Sequence, residues 1–198
     1  MNIYNALVSF ILLLLLTSCL STSPLKNRNN RPIFEPSFQP TSQQNIMFES
    51  SSRPTGQQNI MLAAERKATH QGRKVLATGR QMTVINEEII PGGCWDYANE
   101  VYNRAGYPNQ RQKRRTIFKG SKEKGPYANL SLIQPGDFLH YINHSYGDIE
   151  HSAIFVDWVD YQTKQALMLS YGGESRQEPA RYLPYDLSHV YRIIRATN

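Results

Sequence analysis

One cysteine of this sequence, Cys94, stands where a helix is predicted to begin. Gly92 and Gly93 precede it, and apolar residues then recur at helical spacing as far as Ala105. Backbone N–H groups and the positive end of a helix dipole favour a thiolate at such a position. Because a thiolate is the reactive form of cysteine, this position predicts a nucleophile.

A nucleophilic cysteine needs a base, and His151 is the candidate. It opens a predicted strand, His151–Val159, after a polar loop, so its ring is expected at the end of a sheet. The strand before it, Phe138–Ile142, follows a Pro135-Gly136 turn. A single histidine most often has a structural role. Here a cysteine at a helix start precedes it in the chain, and the combination favours a role for His151 as general base.

Three segments together resemble the papain-like cysteine amidases and peptidases of the NlpC and CHAP families. They are Gly93-Cys94-Trp95-Asp96-Tyr97-Ala98-Asn99, Gln134-Pro135-Gly136-Asp137-Phe138 and His151-Ser152-Ala153-Ile154-Phe155, and the similarity covers roughly Ile89 to Arg195. The resemblance implies that Cys94 attacks an amide carbonyl and that His151 acts as base and then as acid. It also implies a covalent acyl-enzyme, with the backbone N–H of Cys94 at the oxyanion. Trp95 and Tyr97, beside the nucleophile, are the candidate substrate-binding residues.

A third catalytic residue is expected on the strand after the histidine strand, where these families place a polar side chain that orients the imidazole. Here that strand is Gln165–Tyr171, and Ser170 is its best-placed polar residue. Tyr171 and Glu174 are the alternatives. A serine hydroxyl orients the ring but stabilises an imidazolium less than a carboxylate does.

The predicted elements indicate an α+β fold over residues 62–198. A helix is expected over Leu62–Gln71, and residues 75–90 are ambiguous, with a strand-like run at Met82–Ile85. After the Cys94 helix, residues 104–125 are expected to form a polar, basic loop, and the strands that follow end with one at Val190–Ile194. Short connections favour antiparallel pairing. With the resemblance, this predicts a papain-like domain with N-terminal helices packed on an antiparallel sheet.

The N-terminus carries features of an export signal. Residues 1–18 contain an apolar run that is too short to cross a bilayer, and Leu16-Thr17-Ser18-Cys19 resembles a bacterial lipobox. Cys19 is therefore predicted to carry lipid and to anchor the protein to a bacterial membrane, outside the cytoplasm in the cell envelope. An ordinary secretory signal or an uncleaved anchor are the alternatives. If Cys19 carries lipid, Cys94 is the only thiol of the mature chain.

Residues 19–61 are rich in Ser, Pro, Asn and Gln and are predicted to form a flexible stalk. The letters QQNIM occur twice in it, at Gln43–Met47 and at Gln57–Met61. Either the repeat is a duplicated piece of linker, or its Ile and Met side chains anchor on a partner.

The formal charge of +6 arises from one segment. Residues 104–124 contain eight basic residues and one acid, a net +7, so the rest of the chain has a net −1. This segment beside the proposed site is either a solvated loop or a contact for an anionic polymer, such as peptidoglycan, or for lipid headgroups. No aromatic-interleaved motif indicates nucleic acid, no cofactor is indicated, and a monomer is expected.

A metal site is the remaining possibility near His151. His140, His144 and His151 lie within twelve residues, with Asp148 and Glu150 between them. Their spacing fits no familiar zinc-ligand pattern, so no metal is predicted. The leading hypothesis is a lipoprotein that hydrolyses an amide bond in peptidoglycan stem peptides. A silent domain that binds wall or protein, or an acyl transferase that uses the same thioester, are the alternatives.

Overall fold

Three helices precede a sheet in the structure, a computed structural model that describes residues 56–198. The helices are α1 (Gly56–Lys67), α2 (His70–Arg80) and α3 (Cys94–Arg104). The strands are β1 (Arg114–Lys119), β2 (Phe138–Asn143), β3 (Ile149–Asp160), β4 (Gln165–Ser170), β5 (Arg181–Asp186) and β6 (Val190–Ala196). Shorter helical turns lie at Gln81–Ile85, Leu130–Leu132, His144–Tyr146 and Glu174–Arg176. The prediction of an α+β fold is confirmed.

The six strands form one antiparallel sheet in the order β1-β6-β2-β3-β4-β5. Strands β2, β3 and β4 follow one another through short connections, as predicted, and lie at the centre. The last strand, β6, is inserted between β1 and β2. In the register of β2 and β3, Tyr141 stands opposite His151, and in that of β3 and β4, Ala153 stands opposite Ser170.

Both faces of the sheet are buried, because side chains alternate between the faces along each strand. One face packs against the helices, where Val75, Val101 and Tyr102 meet Phe138 and Ile154. The opposite face forms a second apolar cluster, which includes Leu139, Tyr141, Phe155, Met168 and Ile193. Strands β2–β4 are therefore held on two sides, which makes them a rigid support for side chains at their ends.

Helix α1 begins at Gly56, whereas the sequence predicts that ordered chain starts at Leu62. The second QQNIM copy lies inside this helix, with Met61 only 6% exposed and Ile60 packed against the same core. This copy is therefore part of the domain and not linker. The first copy, Cys19, the predicted signal and most of the predicted stalk lie outside the described residues.

The strand-like run Met82–Ile85 is not a strand. It continues α2 as a turn of π-helix, in which the N–H of Asn86 donates to the carbonyl of Gln81 at 2.9 Å. Met82 is 2% exposed in the core that joins the helices to the sheet. Burial of this side chain against the helix layer decides the local structure, since β propensity is a weak preference that packing overrides.

Two strands, β1 and β5, are absent from the sequence-based prediction. Both are the outermost strands of the sheet. The charged residues of β1 led to its prediction as part of a loop, and β5 contains Pro184. Edge strands tolerate charge and proline because one of their sides makes no ladder hydrogen bonds.

Within residues 56–198, every helix is too short or too polar to cross a membrane.

Candidate functional site

The start of α3 is built by Gly92, Gly93 and Asp96. Gly92 has φ +100°, and a Cβ atom there would lie 2.3 Å from Oδ2 of Asp96. That same oxygen accepts a hydrogen bond of 2.8 Å from the N–H of Gly93. The chain therefore turns sharply before the helix, and Cys94 becomes its first residue, as predicted.

The Cys94 sulfur lies against the first residues of β3. Burial is the main cause that raises the pKa of the thiol above its ordinary value, and the carboxylate of Glu150 adds to the increase. The backbone N–H groups of Ser152, Trp95 and Cys94 itself act in the opposite direction but do not outweigh burial. The sequence predicts a thiolate at this helix start, whereas the environment keeps the sulfur protonated at neutral pH.

His151 and Ser170 are brought into direct contact. The Nε2 atom of His151 lies 2.8 Å from Oγ of Ser170, and that oxygen lies 2.9 Å from the hydroxyl of Tyr185. The imidazole also packs between aromatic rings, at 5.6 Å from Tyr141 and 5.5 Å from Tyr185. These contacts fix the plane of the ring on the end of β3.

The same environment keeps His151 neutral. Burial lowers its pKa to about 4, and the positive charge of Arg176 adds to the decrease. No hydrogen bond joins Cys94 to His151 among the residues that the structure describes. The two groups are thus a neutral thiol and a neutral imidazole.

Cys94, His151 and Ser170 line one cleft of about 550 Å³. Its walls are largely apolar and aromatic, and its charged side chains are Glu150, Arg176 and Arg181. A cleft of this size accommodates a short stretch of peptide. The arrangement offers a sulfur atom, a neutral imidazole and the backbone N–H groups of a helix start.

The structure places the two candidate substrate-binding residues elsewhere. Tyr97 is 1% exposed, stacks on Tyr171 at 4.7 Å, and its hydroxyl lies 2.9 Å from that of Thr83. It is a core residue, so its assignment to substrate is wrong. Trp95 is 40% exposed and lies 6.4 Å from the ring of Phe138, outside the set of described residues that line the cleft.

Of the three candidates for the third position, Ser170 is the one that contacts His151. The hydroxyl of Tyr171 instead donates to the carbonyl of Ile90 at 2.9 Å. The backbone N–H of Glu174 donates to the carbonyl of Gly92 at 3.0 Å, which ties the turn after β4 to the chain just before Cys94. Glu174 therefore contributes through its backbone to the shape of the site.

The histidines between residues 140 and 151 have separate partners. Nδ1 of His140 lies 3.0 Å from Oγ of Ser152, and its buried Nε2 has no partner in the described part of the chain. His144 bridges Asp148 and His189, at 2.6 Å from each. Across residues 56–198, no three His, Cys, Asp or Glu side chains converge as metal ligands would.

The basic segment does not enter the cleft. Arg114 is 8% exposed and donates to the carbonyl of Tyr107 and to the side-chain oxygens of Asn99 and Asn103. Arg104 is paired with Glu100. The basic residues that line the cleft, within the described chain, are Arg176 and Arg181, which come from the turn after β4 and from β5.

Sequence reasoning missed Tyr185, Glu150 and Arg176 as members of the site. Tyr185 lies on the unpredicted edge strand β5, so no pattern pointed to it. Arg176 follows the Gly172-Gly173 pair. Because glycines let a chain approach a site closely, this pair is the one feature of the sequence that could have indicated a site at Arg176.

Comparison of the chain with protein-family models, with curated proteins and with solved structures finds no match.

Proposed function

We propose that this domain is a cysteine amidase or peptidase that uses Cys94, His151 and Ser170. The observation that carries the proposal is that the thiol and the His151–Ser170 pair line one cleft, with the sulfur at the start of α3. The likeness of three segments to the papain-like NlpC and CHAP families supports it, as does the α+β order of a cysteine helix followed by an antiparallel sheet.

The chemistry follows from the neutral state of both groups. As the sulfur attacks the carbonyl carbon of an amide, His151 takes the thiol proton, and the backbone N–H of Cys94 at the start of α3 donates to the oxyanion. The imidazolium then gives that proton to the leaving amine, which departs as the C–N bond breaks. A water molecule, deprotonated by His151, attacks the thioester and releases the acid and the thiol.

The lack of a hydrogen bond between Cys94 and His151 does not count against this mechanism. Catalytic hydrogen bonds are often long in sites without substrate and shorten when substrate fills them. The same observation is what favours the second candidate, a domain that binds wall or protein without catalysis.

Peptidoglycan stem peptides are the proposed substrate, because the sequence predicts a lipid-anchored envelope protein. Wild type, Cys94→Ala and His151→Ala are compared on purified peptidoglycan, with released fragments identified by mass. His70→Ala, which changes an exposed histidine at the start of α2, is the matched control. The proposal is supported if wild type and His70→Ala release fragments and the other two variants do not. Equal release of fragments by all four proteins excludes it.

Anchorage is tested separately with a palmitate analogue. Label that disappears in Cys19→Ala and persists in Cys94→Ala supports lipidation at Cys19. Label that persists in Cys19→Ala contradicts it.

A further inference from the structure

Arg176 is an exposed cation at the wall of the cleft. Within residues 56–198, its guanidinium makes no ion pair, whereas Arg181, the other arginine of the cleft, is paired with Glu178 at 3.2 Å. A cation that faces a cleft and lacks a carboxylate partner is suited to bind an anionic group of a ligand.

The backbone holds Arg176 in this place. Its helical turn, Glu174–Arg176, is tied to the start of α3 by the hydrogen bond from Glu174 to Gly92. The side chain lies flat against Gly172, where an added Cβ would be 2.5 Å from Cδ and 2.9 Å from Nε. The glycine thus leaves room for the arginine to lean along the cleft wall.

Arg176 lies close to the reacting groups of the proposed site. Its turn is tied by Glu174 to Gly92, two residues before Cys94, and it packs on Gly172, two residues after Ser170, which contacts the imidazole. Its positive charge also contributes to the low pKa of His151. A substrate group bound by Arg176 therefore lies near the bond that is cleaved.

We infer that Arg176 binds a carboxylate of the substrate close to the scissile bond, so that the enzyme selects peptides with a free carboxylate there. This inference rests on the proposed function and names its substrate class. The carboxylate is either a terminal α-carboxylate or an acidic side chain.

The substrates are stem-peptide fragments that all contain the bond whose cleavage the mass analysis identifies. The enzyme is the full chain. A residue next to the scissile bond carries a free terminal carboxylate, a free side-chain carboxylate, or neither, with both groups amidated. Values of kcat/KM are compared for wild type, Arg176→Gln and Arg176→Lys. Arg115→Gln, which removes an exposed charge on β1, is the control.

Wild type and Arg115→Gln are expected to prefer one of the free carboxylates by at least about tenfold, as a charge-assisted hydrogen bond implies. Arg176→Gln should abolish this preference, so that the free and the amidated fragments are cleaved with equal kcat/KM. Arg176→Lys should keep part of it. The free carboxylate that gives the higher kcat/KM in wild type is the one that Arg176 binds. The absence of a preference in wild type, or its survival in Arg176→Gln, overturns the inference.

Gly172→Ala provides an independent variant that keeps the charge. Its methyl group displaces the flexible arginine from the wall, so the preference should fall as in Arg176→Gln. An undiminished preference in Gly172→Ala contradicts the placement of Arg176.

Failure of catalysis is distinguishable from failure of this inference. In a Cys94→Ala background, calorimetry compares binding of the free and the amidated fragments. Tighter binding of the free form that Arg176→Gln removes supports the carboxylate site even where no fragment is cleaved. Equal binding of both forms overturns it.

Discussion

Nε2 of His151 lies 2.8 Å from Oγ of Ser170, across the pair of strands β3 and β4. For the other ring nitrogen to accept a thiol proton, Nε2 must carry hydrogen and donate it to this serine. The contact accommodates the tautomer that the proposed reaction requires when Ser170 accepts from Nε2 and donates to the hydroxyl of Tyr185, 2.9 Å away.

Ser170→Ala removes the hydrogen-bond partner of Nε2 of His151. We expect kcat to fall by roughly tenfold, as the loss of about 1.4 kcal/mol implies. Ser170→Asn, whose amide oxygen also accepts, should recover part of the activity, and Tyr185→Phe should have a smaller effect. Nitrogen NMR of the His151 ring measures the tautomer directly. An unchanged Nε2–H population in Ser170→Ala would contradict this role.

The protonated state of Cys94 predicts the pH dependence of its alkylation. Since burial raises the pKa of the thiol, the rate of reaction with iodoacetamide should climb through the alkaline range without a plateau near neutral pH. Glu150→Gln removes a negative charge that raises the pKa of this thiol, so its rate at a given pH should increase. A flat, high rate between about pH 5 and 8, as a thiolate–imidazolium pair gives, is the contrary result.

Two buried histidines predict a loss of stability in acid. Burial lowers the pKa of His140 and of His151 to about 4, from 6.5. Between these values the unfolded chain binds more protons than the folded one, so the free energy of unfolding should fall as the pH falls from 6.5 to 4.

Denaturant melts of His140→Gln test this acid dependence. The difference in the free energy of unfolding between pH 7 and pH 5 should be smaller than in wild type. His70→Gln, at an exposed position, should behave as wild type. If the free energy of unfolding of His140→Gln changes between pH 7 and pH 5 by as much as that of wild type, His140 does not cause the loss of stability in acid.

Met61 and Leu62 test whether the second QQNIM copy belongs to the domain. Met61 is 6% exposed and Leu62 is 37% exposed. Met61→Ala should lower the free energy of unfolding by about 2–5 kcal/mol, the usual cost of truncating a buried side chain. Leu62→Ala should lower it by less. Thermal melts measure the melting temperature of both variants. Equal melting temperatures would show that Met61 is not part of the core.

The ion pair of Asp137 and Arg195 is predicted to matter for folding. Asp137 is 1% exposed and accepts from both Nε and one terminal nitrogen of Arg195 at 2.7 Å. Arg195→Met leaves this carboxylate buried without a partner, so unfolding should become easier by about 3–5 kcal/mol. Arg181→Met breaks an exposed pair and should cost at most about 1 kcal/mol. Urea melts of equal midpoint for the two variants would contradict this difference.

Patterns with strong local causes could be predicted from the sequence. The helix after Cys94 follows from apolar spacing and from Gly93, and the central strands β2, β3 and β4 follow from apolar runs between turns. The strand that carries Ser170 could be placed beside the histidine strand, because consecutive strands joined by a short connection usually pair. Edge strands β1 and β5 could not be recognised from the sequence. One edge of each strand faces solvent, so these strands contain charged residues or proline and lack the apolar pattern of a central strand.

The sequence by itself determined the identities and the chain order of the proposed chemical groups: a cysteine at a helix start, a histidine at a strand start and a serine one strand later. Tertiary structure alone decided their environment. Burial, which depends on what packs around a group and not on its neighbours in sequence, keeps Cys94 protonated and His151 neutral. The same packing placed Tyr97 and Met61 in the core, and it brought Arg176, from the turn after β4, to the wall of the cleft.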